Sequence, residues 1–107
     1  MEISKTLTAT PKEKPAADTL GFGKYFTDHM FMMDYSEGEG WHNARIVPFG
    51  EFPIHPASTV LHYGSEIFEG LKAYRRKDGK VQLFRAIENI RRMNNSAERL
   101  CLPAIDE

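Results

Sequence analysis

LHYGSEIFEGLKAYRRKDGKVQLFRAIENIRRMNNSAERLCLP, residues 61–103, carries the signals from which the fold class follows. Its last third has a helical period. Ile87, Ile90, Met93, Ala97 and Leu100 fall on one stripe of a helix running from Ala86 to Leu100. Pro103 cannot continue a helix and marks its end. Before it, Leu71–Arg75 and Val81–Phe84 read as two strands joined through Lys77-Asp78-Gly79-Lys80. Asp-Gly favours the positive φ that a tight hairpin turn needs. Strands first and a helix after them, with no β-α-β alternation, predict an α+β fold: an antiparallel sheet with one main C-terminal helix.

Upstream, Tyr25–Tyr35 (YFTDHMFMMDY) is an aromatic-rich strand candidate free of Gly and Pro. Alternation puts Phe26, Asp28, Met30, Met32 and Asp34 on one face, and Tyr25, Thr27, His29, Phe31, Met33 and Tyr35 on the other. The second face is the more aromatic and is expected to point at the core. Ser36–Gly40 (SEGEG) reads as a turn, and Ala44–Phe49 as a strand returning antiparallel to the first. Pro48, Pro53 and Pro56 confine the next stretch to loop or sheet edge. Residues 1–20, rich in Thr, Lys, Pro and Ala, read as a flexible arm, which leaves 21–107 as the folded part.

A chain of 107 residues supports one small domain burying somewhat more than about 60% of its unfolded surface. A formal net charge of −1 gives no overall basic field to draw it to nucleic acid or anionic lipid. The clusters Arg75-Arg76-Lys77 and Arg91-Arg92 are local. No apolar run approaches the roughly 20 residues of a membrane span, and the N-terminus lacks the apolar core of a secretory signal. Cys101 is the only cysteine, which excludes a disulfide framework and points to the cytoplasm. Its place at an apolar helix end predicts a buried, inert thiol.

Three groups of residues offer chemistry. Arg85, Arg92 and Arg99 are spaced near two helical turns apart, on a stripe roughly opposite the apolar one. That stripe reads either as a solvated polar face or as an anion site, since guanidinium is a charged planar fork matched to phosphate or carboxylate oxygens. Spacing singles out none of the three. Tyr63 and Phe68, flanked by Gly64 and Gly70, together with Phe22, read either as core aromatics or as the wall of an apolar substrate slot. His29, His42, His55 and His62 form no metal-ligand pattern. Glu66 and Glu69 lie close in sequence, without other signs of a paired-carboxylate site.

Tyr63 to Tyr74 (YGSEIFEGLKAY), Leu83-Phe84-Arg85 and Asn89 to Leu102 (NIRRMNNSAERLCL) strongly resemble branched-chain amino acid aminotransferases. These are fold-type IV enzymes that depend on pyridoxal 5′-phosphate (PLP). Phe22-Gly23-Lys24, Phe26-Thr27-Asp28-His29-Met30, His55-Pro56-Ala57 and Leu61-His62-Tyr63 fit the same family. The resemblance covers roughly residues 20–105.

By that resemblance, Arg92 matches the arginine that grips the PLP phosphate, and Phe22, Tyr63 and Phe68 match aromatics around the branched aliphatic side chain. It implies ping-pong transfer of an amino group from Leu, Ile or Val to 2-oxoglutarate, by an enzyme that is a homodimer at full length. It also implies a departure. None of the lysines here, Lys24, Lys72 and Lys80 included, matches the PLP-bound lysine, so no catalytic residue is assigned. The expectation is therefore an incomplete small domain, the amino-terminal part of the enzyme and inactive alone. D-amino acid transaminase and aminodeoxychorismate lyase share the fold and are the nearest alternatives. A stand-alone anion-binding or interaction domain is the alternative of another class.

Overall fold

The computed structural model describes all of residues 1–107. The chain divides into two compact units, Met1–Pro53 and Ile54–Glu107, where its length predicts one small domain. The first unit holds strands β1 (Ser4–Lys5), β2 (His29–Ser36) and β3 (Gly40–Pro48) in the order β1-β3-β2. β2 and β3 form the predicted antiparallel hairpin around the predicted turn, although β2 starts later and β3 earlier than expected. The paired residues end with Pro48 opposite His29, a position that asks no N–H of the proline, and the Phe49 N–H donates to the Asp28 carbonyl at 2.9 Å just beyond it. Beyond that point Phe26 stacks on Phe49 with centroids 5.1 Å apart, outside the sheet. At the other end Tyr35 and Trp41 pack edge to face, which extends β3 back to Gly40.

The hairpin carries a bulge. Met32 faces Arg45, but the next pair is Asp34 with His42, so β3 holds an extra residue there. Asn43 absorbs it at φ +54°, a conformation asparagine tolerates better than most residues. Its amide donates to Asp34 at 2.7 Å, and Arg45 donates to both oxygens of the same carboxylate at 2.8 and 3.1 Å. Hydrogen bonds from Arg45 first, then Asn43, hold the Asp34 carboxyl below its usual range.

The expected facing of β2 holds only in part. On the aromatic face His29 and Met33 are half-buried but Phe31 and Tyr35 are exposed, while Met30, Met32 and Asp34 on the other face are half-buried too. The Arg45 side chain reaches along Met32 to Asp34 and supplies the cover. Aromatic content tells which face prefers burial; it does not supply anything to bury it.

Part of the segment expected to be a flexible arm is a strand. β1 runs parallel to β3, with Ser4 opposite Arg45 and Lys5 opposite Ile46, so the sheet is mixed rather than purely antiparallel. Thr6 donates to the Ile46 carbonyl at 2.9 Å, Thr8 to the His29 ring at 3.0 Å and Lys12 to Asp28 at 3.0 Å. The signal is invisible in a two-residue pairing with no alternation to read.

The second unit contains α1 (Thr59–Tyr63), β4 (Ala73–Arg75), β5 (Val81–Leu83) and α2 (Ala86–Arg99). The hairpin β4–β5 forms a separate two-stranded sheet on the predicted turn, with Gly79 at φ +80°. α1 was not anticipated: five residues are too few for a period to show, although Gly64 at φ +59° terminates it as left-handed glycines do. α2 forms as predicted and ends in a left-handed turn at Cys101, where Leu102 donates back to Ala97 at 2.9 Å. That turn leaves Cys101 exposed, not buried. Asn94 then grips the backbone of Ile105 from both sides, at 2.9 and 3.0 Å. The α+β class therefore holds, with two small sheets in place of one.

Little of this is covered. Only Ala44 and Ala97 among the hydrophobic residues are fully buried, and Ile87 and Leu100 of the α2 stripe are exposed. The accessible surface is 9581 Å², whereas two separate compact domains of half this mass would together expose only about 7,300 Å². Relative to the unfolded chain roughly 45% of surface is buried, short of the expected 60%. The 107-residue chain in isolation should therefore enhance the fluorescence of a hydrophobic dye and self-associate as its concentration rises. Strictly monomeric sizing with no dye response would contradict these exposed faces.

Candidate functional site

The three arginines of the polar stripe part company in the structure. Arg85 precedes α2 at φ +49° and lies off the helical stripe, with Glu88 at 3.8 Å. Arg99 closes the helix at its exposed last turn. Arg92, two turns in, meets a carboxylate that the sequence did not single out. Its Nε donates to Glu69 Oε2 at 2.8 Å, and its Nη2 donates to Glu69 Oε1.

Two more donors complete the cluster. Asn89 lies one turn before Arg92 on the same helix face. Its amide donates to Glu69 Oε1 at 3.1 Å and to the Gly70 carbonyl at 2.8 Å. The Gly70 N–H donates to Glu69 Oε1 at 2.9 Å. The Glu69 side chain is only 11% exposed, while that of Arg92 is 68% exposed. Hydrogen bonds from Arg92 and then Asn89 outweigh burial and pull the Glu69 carboxyl down to about 2, from an ordinary 4.5. The same pairing raises the already high pKa of Arg92.

This geometry divides the guanidinium into two edges. The side edge, Nε with Nη2, belongs to Glu69. The end edge, Nη1 with the second hydrogen of Nη2, has no acceptor within the chain and is exposed. An anion with two oxygens on one centre matches that open fork. Ser96 does not compete, because its hydroxyl donates to the Arg92 carbonyl at 3.1 Å.

The aromatics lie on the surface rather than in a core. Tyr63 ends α1 and is 84% exposed; Phe68 directly precedes Glu69 and is 93% exposed. Neither forms a ring–ring contact. Next to the clamp, Gly70, Leu71, Lys72, Tyr74, Phe84 and Asn89 line an open groove of about 460 Å³. Phe22 belongs to the first unit and is fully exposed there. Glu69 and Asn89 escaped sequence reading for different reasons. Asn89 had a usable signal, its spacing from Arg92, whereas nothing local pairs Glu69 with a residue 23 positions away.

No family model matches the chain. Individual proteins do. Branched-chain-amino-acid transaminase 1 of Bacillus subtilis (strain 168) is 54% identical over 105 residues, which are 98% of this chain and 30% of that protein. The chain is a homologue of branched-chain-amino-acid aminotransferases. A probable branched-chain-amino-acid aminotransferase of Staphylococcus aureus (strain MRSA252) is 54% identical over 101 residues, covering 94% of this chain and 28% of its own length. The branched-chain-amino-acid aminotransferase of Mycolicibacterium smegmatis is 47% identical over 108 residues, with 94% of this chain and 29% of its own length covered. The chain thus spans less than a third of the curated relatives it matches. No helix in it is long and apolar enough to cross a membrane.

The low Glu69 pKa has a consequence in acid. A carboxyl depressed in the folded state stabilises the fold fully above its unfolded value, near 4.5, and loses that contribution as pH falls through about 2. The side-chain NMR signals of Asn89 and of the Arg92 Nε–H should therefore stay protected at pH 4 and vanish only as pH approaches 2. Loss of protection at pH 4 to 4.5 would contradict the clamp.

Proposed function

We propose that this chain is the amino-terminal part of a PLP-dependent, fold-type IV branched-chain amino acid aminotransferase. It would act in the cytoplasm as a homodimer, passing the amino group of Leu, Ile or Val to 2-oxoglutarate. The observation that carries the proposal is the 54% identity over 98% of the chain to a branched-chain transaminase. The open end edge of Arg92 supports it chemically, because the donor set fits the phosphate of PLP.

In this reading Arg92 holds the phosphate by charge-assisted hydrogen bonds and is itself held by Glu69. When bound, PLP supplies an electron sink for the α-carbon of the amino acid. Tyr63 and Phe68 present apolar rings to the substrate side chain and exclude water, and the Tyr63 hydroxyl offers one oriented polar contact. Phe22 receives the same role by family resemblance. A wall of rings favours aliphatic over polar side chains, yet one methylene is worth only about 1–3 kcal/mol, so selection among Leu, Ile and Val is loose. No lysine of this chain takes the PLP-bound position.

The relatives' shared branched-chain name favours this reading over D-amino acid transaminase and aminodeoxychorismate lyase. Steady-state assays of the full-length protein with valine, D-alanine and aminodeoxychorismate separate the three: valine with 2-oxoglutarate should be turned over fastest. Preference for either of the others would replace the assignment. The 107-residue chain alone, mixed with PLP and leucine, should give neither turnover nor a lysine-dependent visible absorbance band. Either signal would locate the reacting lysine within it. The stand-alone anion-binding alternative requires a well-covered fold that binds inorganic phosphate by itself, and the surface left uncovered here disfavours it.

A further inference from the structure

The geometry points to Glu69 as the residue that positions Arg92 for phosphate, a role that rests on the Arg92 reading above and goes beyond it. An exposed arginine samples many rotamers, and binding an anion must first order it. Here the ordering is complete before any anion arrives. Glu69 occupies the side edge of the guanidinium through two hydrogen bonds and thereby fixes the plane and direction of the end edge.

Glu69 is itself held in place. The Gly70 N–H and the Asn89 amide both hold Oε1, and Asn89 also holds the Gly70 carbonyl, so carboxylate and loop backbone are tied to α2 together. With 11% of its side chain exposed, Glu69 has little room to turn away.

Two effects of opposite sign meet at this residue. As an anion, Glu69 repels an incoming phosphate; as a tether, it aims the fork that phosphate needs. Substitution reveals which prevails, because losing the charge tightens binding and losing the tether weakens it. In the structure the anion-facing fork is solvent-exposed while the carboxylate is shielded behind it by four donors, which damps the repulsion and leaves positioning in control.

The test uses the full-length protein, with dissociation constants for PLP and for pyridoxal, which lacks the phosphate, measured at fixed ionic strength. E69A should weaken PLP binding roughly 10-fold, the scale of one lost charge-assisted contact, and leave pyridoxal binding unchanged. E69Q keeps one acceptor oxygen and should fall between E69A and the unaltered protein; where E69A does not fold, E69Q decides. The Arg92 Nε–H NMR signal should exchange slowly with solvent in the unaltered protein and rapidly in E69A. PLP bound equally or more tightly by both variants, or an Nε–H equally protected without Glu69, overturns the inference. R92A separates the two failures. If R92A leaves PLP affinity intact, the phosphate role of Arg92 falls and this inference with it; if R92A weakens PLP and the Glu69 variants do not, only the inference falls.

Discussion

Ala97 is the one hydrophobic residue fully buried in the second unit, so apolar packing there is too thin to fix where the loop before β4 lies on α2. That task falls to the Glu69 carboxylate. It accepts from Arg92, Asn89 and the Gly70 backbone at once, and Asn89 adds a bond to the Gly70 carbonyl. An ordinary exposed ion pair would do little, because ordering two long side chains offsets most of the attraction. The difference lies in the backbone. A carboxylate held by its own loop's N–H converts a side-chain pairing into a restraint on the chain path.

The first unit solves the same problem with the same chemistry. Its fully buried hydrophobic residue is Ala44, and beside it Asp34 gathers Asn43 and Arg45 across the bulge. In both units a carboxylate with several donors sets local geometry, and large apolar side chains remain on the surface. These two facts belong together. When polar clamps fix the backbone, Phe68, Tyr63, Phe31, Ile87 and Leu100 are not consumed in holding the fold and remain available as contact surface.

What the sequence made legible was whatever repeats or punctuates locally. The α2 period and the Asp-Gly turn each depend on neighbours a few residues apart, and both elements formed as read. Arg92 was visible as one of three arginines, but the choice among them depended on resemblance, since spacing treats them alike. The structure separates them by a contact spanning 23 positions, which no local pattern encodes. β1 was hidden for a related reason: a parallel pairing of two residues with a distant strand leaves no alternation. The facing of β2 is legible only in part, because hydrophobicity ranks faces by preference, whereas cover for Met32 comes from one long arginine side chain.

The pairing of Arg92 with Glu69 also limits what this helix face does by itself. A lone guanidinium attracts anions over a distance, with no preferred direction; paired, its charge is largely cancelled beyond the nearest few ångströms. What survives is a short-range fork with fixed orientation. Such a fork selects for two oxygens on one centre, yet it cannot neutralise a phosphate dianion, because the pair carries almost no net charge. A dianion held there needs further donors beyond this cluster. Arg85 and Arg91 do not relieve the shortage, since Glu88 and Glu107 already engage them. The same economy that aims Arg92 thus leaves the cluster a directed but nearly neutral fork.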